Sequence, residues 1–548
     1  MPKTAKLFIL LIILAAIFSY LNSLNNEFIW DDEDFVLKNS TIKDWHKWPH
    51  VFTENMIHGA RKGSNFYRPA QSLTHGVDYI LWKDKPAGHH VTNIIFHILA
   101  SITAYLLLRK IFSNNLSFLA ALFFAVHPVQ TEVVTYISGR SDSMAAFFMM
   151  LALLLFERNI ILASLSFVLA VLSKESAMIM PFLLIIYLLF KDGTVKQQMK
   201  PTRAKARGSL GGIPSPDCNL GECIKKIAPF IAILLIYGAL RLTVLNFSKT
   251  VGENLPQPFF YVPLYIRLLT FLKALPAYFS ILAWPFGLHM ERQMSLARSI
   301  FEPQVFSGLL LLLCLFFIAC KLKRFDKAML FSVCWFFIAI FPNSNIIPIN
   351  ALIYEHWLYL PSLGFFITIA WLLEKLLKRG NIFKCATVLI AIAIALFYIW
   401  RTHERNREWR DHISFYESTI RHVPDSGRLH NNLAMAYSDK GRIEDAVMEY
   451  EKAISLGDYY PQIHFNLSNI YIGRGDYEKA VKELIRSIEI DNNFLYSHES
   501  LSVLYFNQGK FREAGSEAEL ILKFEPDNKV AGEILRKLSE KGIFYYRP

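Results

Sequence analysis

The chain has 548 residues, 53% hydrophobic and 14% aromatic, with a mean hydropathy of +0.29. That is oilier than a soluble globular protein, in which apolar residues make up about 45–50%. The formal net charge is +12, yet many of the basic residues sit in short loops between apolar runs: Arg109-Lys110, Lys191 to Lys226, Lys321-Lys323-Arg324 and Lys375 to Arg379. Such spacing sets membrane topology and argues against a nucleic-acid partner, which would need the charge gathered on one folded face.

Apolar runs fill residues 7–400, whereas 401–548 is polar and charged. The expected architecture is therefore all-α, with a polytopic membrane domain over 1–400, a linker over 401–426 and a soluble domain over 427–541. The first run, FILLIILAAIFSYL (8–21), lacks a small-x-small cleavage site and is read as a retained helix. Further runs near the roughly 20 residues that a bilayer requires follow at 91–109, 116–136, 142–157, 159–173, 176–190, 227–246, 264–285, 304–320, 328–342, 358–377 and 383–400. Placing the basic loops in the cytoplasm puts the N-terminus and 191–226 inside, and the first loop (24–90), 343–357 and 401–548 outside. The run 264–285 contains Arg267, Lys273 and Pro276 and breaks this parity if it crosses. It is read as re-entrant, interfacial or broken, leaving about eleven crossings. Of six cysteines, Cys218 and Cys223 fall in the basic loop, where a lone Cys-x4-Cys pair is weak evidence for metal; the tail has none, so no disulfide framework is expected there.

In the soluble half, Leu433, Leu467 and Leu501 recur every 34 residues, as do Tyr437, Tyr471 and Tyr505, Gly441, Gly475 and Gly509, and Ala446, Ala480 and Ala514. This is the tetratricopeptide (TPR) period of helix–turn–helix units, expected at 427–460, 461–494 and 495–528, with a capping helix after them. The concave face of such a stack binds extended peptides or proteins. His430, His464 and His498 share the period and are read as a repeat position that tolerates histidine.

Immediately after the first run comes NEFIWDDEDFVLKN (26–39). Glu33 and Asp34 suit a solvated face. Asp31 and Asp32 follow Ile29 and Trp30, expected to hold them at the membrane boundary, where partial desolvation raises a carboxyl pKa toward the range of a general base. Other polar residues fall in stretches assigned to the same side: Tyr67-Arg68, His127, Glu132, Arg140, Asp142, Lys174-Glu175 and Glu355-His356. Ionisable residues at membrane level are costly and mark sites. Arg140, Arg68 and Lys174 are the candidates to hold a phosphate. No metal site is expected, because the histidines lack the i, i+4 pairing with Glu of a zinc helix; a divalent cation on the acidic run is left open.

The blocks FIWDDEDFVLKN, FYRPAQSLTHGVDYILW, GHHVTNIIFH, AVHPVQTEVVTYISGRSD, LSKESA and SNIIPINALIYEHWLYLPSLG, followed by TPR repeats, resemble the transmembrane and TPR-repeat-containing proteins. That family lies in the GT-C glycosyltransferase superfamily and is similar to protein O-mannosyltransferases. The resemblance implies a polyprenyl-phosphate-linked sugar, such as mannose, as donor, and transfer with inversion to a Ser or Thr hydroxyl of a protein on the outer face. It carries the catalytic position onto Asp31 and Asp32. The family usually reads Glu-Arg where this chain has Glu355-His356, which weakens any donor-phosphate role at that point. The repeats are expected to hold the acceptor or a partner. A bacterial inner membrane with a periplasmic tail is expected, with the endoplasmic reticulum as alternative. Two other readings are an inert anchor for a TPR scaffold and a lipid-linked sugar transporter; the first leaves the one-sided polar blocks unexplained, and no internal repeat supports the second.

Overall fold

A chain whose apolar runs must shed water can pair its backbone polar groups only within helices or closed barrels. The computed structural model describes residues 2–198, 220–247, 262–322, 326–349 and 351–542, and these are helical with no strand among them. Cys218, Lys323 and Arg324 lie outside the described residues. The chain divides into two compact units, Met1–Asp411 and His412–Pro548.

The first unit contains α1 (Lys3–Tyr20), α2 (Ser40–Lys43), α3 (Pro69–Trp82), α4 (Pro86–Leu108), α5 (Asn114–Val126), α6 (Thr131–Val134), α7 (Arg140–Leu155) and α8 (Ile160–Ser173). It continues through α9 (Met180–Gln198), α10 (Leu220–Leu242), α11 (Leu264–Ala283), α12 (Pro303–Leu322), α13 (Lys327–Ile340), α14 (Ser362–Leu377) and α15 (Asn381–Glu408). Proline at the first position starts α3 and α4, where its missing N–H costs nothing and its φ is already helical. Ser113, Asn159 and Asp326 cap α5, α8 and α13 by accepting from backbone N–H groups. Among the described residues, five helical stretches are long and apolar enough to cross a membrane: Lys3–Asn25, Pro86–Leu108, Ile137–Leu155, Leu264–Ala283 and Asn381–Glu408. A sixth arises if α5 and Pro128–Val134, bent by 52°, form one span. The protein is an integral membrane protein.

The main core joins α1, α4, α5, α7, α8 and α14 through small buried residues such as Ala100, Ala104, Ala120 and Ala145, which let apolar helices approach closely. Gly364 is a further close approach, since a Cβ there would lie 2.6 Å from the Ser332 carbonyl oxygen on α13. The run 264–285 is not broken at Pro276: α11 continues through it. The chain after α11 folds back along it, with the Ala297 N–H donating to Thr270 Oγ1 at 3.0 Å and Lys273 Nζ reaching Ser295 at 2.9 Å and Glu302 at 3.1 Å. Arg267 donates to the Asn345 and Ile346 carbonyls. The charges that made this run anomalous are thus matched within the protein.

The first loop and the last helix end at one face. Asn406 on α15 donates to the Ser19 carbonyl at 2.8 Å and to Asn22 Oδ1 at 2.7 Å, and the Glu27 N–H donates to the Arg410 carbonyl at 2.8 Å. Residues 401–426, expected as a linker, are instead the end of α15 and helix α16 (His412–Ile420), with which the second unit begins.

The second unit pairs α17 (Gly427–Asp439) with α18 (Ile443–Leu456), α19 (Pro461–Gly473) with α20 (Tyr477–Ile490), and α21 (Leu495–Asn507) with α22 (Phe511–Phe524). Helix α23 (Lys529–Glu540) closes the stack by packing Ala531, Ile534 and Leu538 on Ala514, Ala518 and Ile521. The recurring glycines have a conformational reason: Gly441, Gly475 and Gly509 follow the first helix of each pair with φ of 74°, 76° and 77°, the left-handed turn that ends a helix cheaply only at glycine. Ala446, Ala480 and Ala514 are fully buried at the helix crossings.

The recurring histidines are more than tolerated. His430, His464 and His498 each meet the glutamate 19 positions later through Nδ1: Glu449 at 2.5 Å, Glu483 at 2.6 Å and Glu517 at 2.5 Å. His464 also meets Asp458 at 2.6 Å. Burial lowers the pKa of His464 and His498, but these carboxylates more than offset it, so both stand above the ordinary value. A raised histidine pKa stabilises the fold fully below the unfolded value of about 6.5 and is lost as pH climbs through the folded value. Hydrogen-exchange protection of α19–α22 in the whole protein should therefore be full below the unfolded pKa of about 6.5 and fall as pH rises through the raised folded pKa. With Glu483→Gln and Glu517→Gln together, that fall should flatten; an unchanged slope would refute the pairing.

Candidate active site

The acidic turn is held by protein packing. Ile29 is buried rather than presented to the membrane boundary, and Phe28, Phe35 and Val36 cluster with Ile42, Met56 and Ile137. Trp30 adopts φ 54°, a conformation uncommon for a bulky side chain and typical of constrained sites. It turns the chain so that Asp32 points inward while Asp31 stays half-buried.

Asp32 is fully buried. Its Oδ1 accepts from the Ser138 N–H at 2.8 Å and hydroxyl at 2.5 Å, and its Oδ2 from the Ile29 N–H at 3.1 Å. Burial pushes the carboxyl up to about 7; the Ser138 and Ile29 donors pull it down, and the charge of Asp31 adds to the rise. Tyr136 is pushed well above its ordinary value, first by burial and then by Asp31 and Asp32 beside it. Glu33 is partly exposed and pairs with Lys38 at 2.5 Å, whereas Asp34, expected on a solvated face, is largely buried, with Oδ1 shielded from solvent and Oδ2 paired to Lys62 at 2.7 Å.

Ser138 opens a five-residue segment, Ser138–Asp142, that runs into α7 and touches every other part of the site. Gly139 lies where a Cβ would collide with the Glu132 carbonyl. Arg140 is fully buried and does not face open space. Its guanidinium donates to Asn93 Oδ1 at 2.6 Å, Thr74 Oγ1 at 3.1 Å, Asp78 Oδ2 at 2.5 Å and the His89 carbonyl at 3.0 Å. The phosphate role expected of Arg140 is replaced by a structural one, because its donors are spent inside the fold. Ser141 accepts from Arg68 at 3.4 Å, and Asp142 pairs with Lys174 at 2.6 Å.

Arg68 reaches Glu175 at 3.3 Å, and the Tyr67 N–H donates to the same carboxylate at 3.4 Å. Burial raises Glu175, but Arg68, Arg241 and backbone donors outweigh it and leave its pKa lowered. Burial also holds Lys174 below its ordinary value, against the pull of Asp142. Tyr67 is buried, its hydroxyl on the Phe52 carbonyl at 3.2 Å.

A narrow crevice of about 20 Å³ starts at Asp142. Its lining is polar at Asp142, Ser176, Asn343 and His356 and apolar at Ala145, Met149, Ile179, Ala339 and Leu360. His356 Nδ1 lies 2.5 Å from Glu132, whose other oxygen accepts the His356 N–H at 3.1 Å. Glu355 turns inward, bonded to the His289 N–H and Arg292 at 2.6 Å each and 3.7 Å from Arg405. Burial raises its pKa, with the two arginines opposing. His127 is not at the site: it packs against Tyr398 and Phe366 and bonds the Leu282 carbonyl at 3.2 Å. Sequence reasoning did not single out Ser138, Asp78, Asn93, Tyr136, Arg292 or Arg405 as a set. The motif blocks around Asp78, Asn93 and the SGRSD stretch were the signals that pointed there.

Fold and site together define a helical membrane protein with a buried carboxylate, a neighbouring crevice that is part apolar and part polar, and a second unit of TPR helices. The family model described as dolichyl-phosphate-mannose-protein mannosyltransferase matches residues 81–206, and a tetratricopeptide repeat model matches 427–456 and 461–494. The resemblance drawn from the motifs is thereby borne out. The chain is 28% identical to a Caenorhabditis elegans protein named protein O-mannosyl-transferase F38B6.6, covering 83% of this chain and 63% of that one. It is 26% identical to human protein O-mannosyl-transferase TMTC3, over 79% and 50%, and 25% identical to human TMTC1, over 82% and 54%. The chain thus spans about half to under two-thirds of the length of these relatives. An apo oligosaccharyltransferase from Archaeoglobus fulgidus superposes with a TM-score of 0.37 and 13% identity, covering 75% of this chain and 56% of that one.

Breaking a buried ion pair by removing one partner costs about 3–5 kcal/mol. Arg140→Met should therefore reduce the yield and thermal stability of the folded membrane unit in detergent by that order. A variant of normal stability would mean that Arg140 has no structural duty.

Proposed function

We propose that the first unit is a glycosyltransferase that moves a sugar, mannose on the present reading, from a polyprenyl-phosphate carrier to a Ser or Thr hydroxyl of a protein on the exoplasmic side. The observation that carries this reading is the Asp31–Asp32 pair, fixed to Ser138 only four residues before the crevice residue Asp142. The names of the matched family model and relatives support the choice of sugar, carrier and acceptor class.

A neutral hydroxyl is a weak nucleophile and needs a base at the point of attack. Asp31, the more accessible carboxylate, takes the acceptor's proton; Asp32, both of whose oxygens are engaged, holds the turn and sets its charge. The acceptor oxygen bonds to the anomeric carbon as the bond from that carbon to the phosphate oxygen breaks, so the electron pair leaves with the lipid phosphate and the anomeric centre inverts. The transition state is oxocarbenium-like, with negative charge growing on the leaving phosphate. Lys174 and Arg68 are the cations for that charge, drawn from Asp142 and Glu175 when the phosphate enters. Ala145, Met149, Ile179 and Leu360 would line the start of the lipid chain once the crevice opens to admit it.

On this reading α1, α4, α5, α7–α10 and α12–α15 cross the bilayer, and α11 does not change side because its return segment runs back along it. The bond between Glu27 and Arg410 supports an exit of the chain on the side of the acidic turn, so that the TPR unit shares a compartment with the acceptor. Its role is to hold that protein. The cysteine-free repeat unit suits a bacterial periplasm; the animal origin of the relatives above favours the endoplasmic reticulum as the second reading.

Asp31→Asn should insert normally and lower transfer by roughly 10²–10⁴-fold, the usual worth of a general base. The wild-type rate should climb along a limb centred near pH 7, where Asp32 ionises and strengthens the field at Asp31. In Asp32→Asn that limb should vanish. Undiminished transfer by Asp31→Asn would remove the proposal. Deleting 412–548 should leave transfer to a short peptide within about threefold and reduce transfer to the intact acceptor at least tenfold, the scale of one lost docking contact of about 1.4 kcal/mol. Equal losses on both acceptors would give the repeats a structural role instead.

A further inference from the structure

Beneath the Ser138–Asp142 segment, α3 and α4 bring three potential metal ligands together. His75 and Asp78 stand i, i+3 on α3, and His89 stands in the first turn of α4. One ligand atom from each lies within 4.8 Å of the others, and all three residues are buried. None of them is needed for the proposed transfer chemistry.

The hydrogen bonds around the trio are incomplete in a way that points to an ion. His89 Nε2 is 3.1 Å from the Lys83 carbonyl, which places the proton on that nitrogen and leaves the Nδ1 lone pair free to ligate. Nδ1 has no hydrogen-bond partner and faces Asp78 Oδ2 at 3.5 Å. His75 Nδ1 also lacks a partner, although its ring is fully buried. Buried nitrogens without partners are rare and call for an explanation such as an ion. The Gln71 side-chain oxygen, one helical turn before His75, is a third buried atom without a partner. The Gln71 amide nitrogen lies 3.4 Å from His75 Nε2 and donates to the Ser138 carbonyl at 2.7 Å; turned over, the amide would give up that bond and accept the Nε2 proton once Nδ1 ligates. Asp78 keeps lone pairs for an ion, since Arg140 takes one on Oδ2 and Thr92 donates to Oδ1 at 2.6 Å.

We propose that His75, Asp78 and His89 bind a divalent transition-metal ion of the zinc type. Two imidazoles and one carboxylate favour such a metal over magnesium or calcium, which take oxygen donors. The ion fastens α3 to α4.

The test uses the full chain in detergent, stripped with a chelator, loaded with zinc alone and desalted. The wild type should keep about one zinc per chain, with an X-ray absorption first shell of nitrogen and oxygen at about 2.0–2.1 Å and the scattering of two imidazoles. His75→Phe with His89→Phe should lose that zinc while the detergent-solubilised protein stays monodisperse. Should the double variant fail to fold, the spectrum of the wild type decides by itself. Failure of the wild type to retain zinc, a shell without two imidazoles, a sulfur shell at about 2.3 Å from the cysteines, or equal zinc in the folded double variant would each overturn the proposal. None of these readings depends on sugar transfer.

Discussion

The buried pair between Arg140 and Asp78 is the contact on which the site depends. Each ion loses several kcal/mol of hydration when buried, and only a complete set of partners offsets it. Arg140 meets that condition with Asp78, Asn93, Thr74 and the His89 carbonyl. In doing so it locks the start of α7 onto α3 and α4. The neighbouring residues then have fixed duties: Ser138 donates to Asp32, Ser141 accepts from Arg68, and Asp142 pairs with Lys174. One rigid segment thereby sets the acidic turn, the cationic residues and the crevice relative to one another, as a reacting geometry requires.

Burial then decides how these groups titrate. Asp32 receives three donors, and even so desolvation wins and carries its carboxyl to about 7. Glu175 is buried too, but Arg68 and Arg241 tip the balance the other way. Two carboxylates on one face are thus pushed apart by whether a cation stands beside them, the pattern that separates acid and base roles in enzyme sites. Lys174, held below its ordinary value, is a cation whose charge gains when a phosphate arrives.

Much of the fold was legible because it rests on periodic signals. Apolar runs marked most of the apolar helices, and the 34-residue period marked the repeats. The site was legible only as a set of blocks. Arg140 shows why: a sequence can say that an arginine sits at membrane level, but not whether its partner is a ligand or an aspartate 62 positions earlier. His127 was drawn into the site by its place in a motif, whereas its neighbours Phe366, Tyr398 and Leu282 are far away in the chain. Ile29 looked like a membrane anchor because hydropathy does not distinguish lipid from a protein core. The stretch 401–426, assigned to a linker, carries the end of α15 and α16, helices that a polar sequence without a membrane period does not announce.

The proposed chemistry requires that the acidic turn open to the exoplasmic side, where acceptor proteins are found. Lys38, at the end of that turn and 60% exposed, is suited to report this. In a cysteine-free background, Lys38→Cys should react with a membrane-impermeant maleimide applied to intact cells, or to sealed microsomes only after opening if the membrane is that of the endoplasmic reticulum. Labelling confined to the cytosolic surface in either preparation would contradict the account.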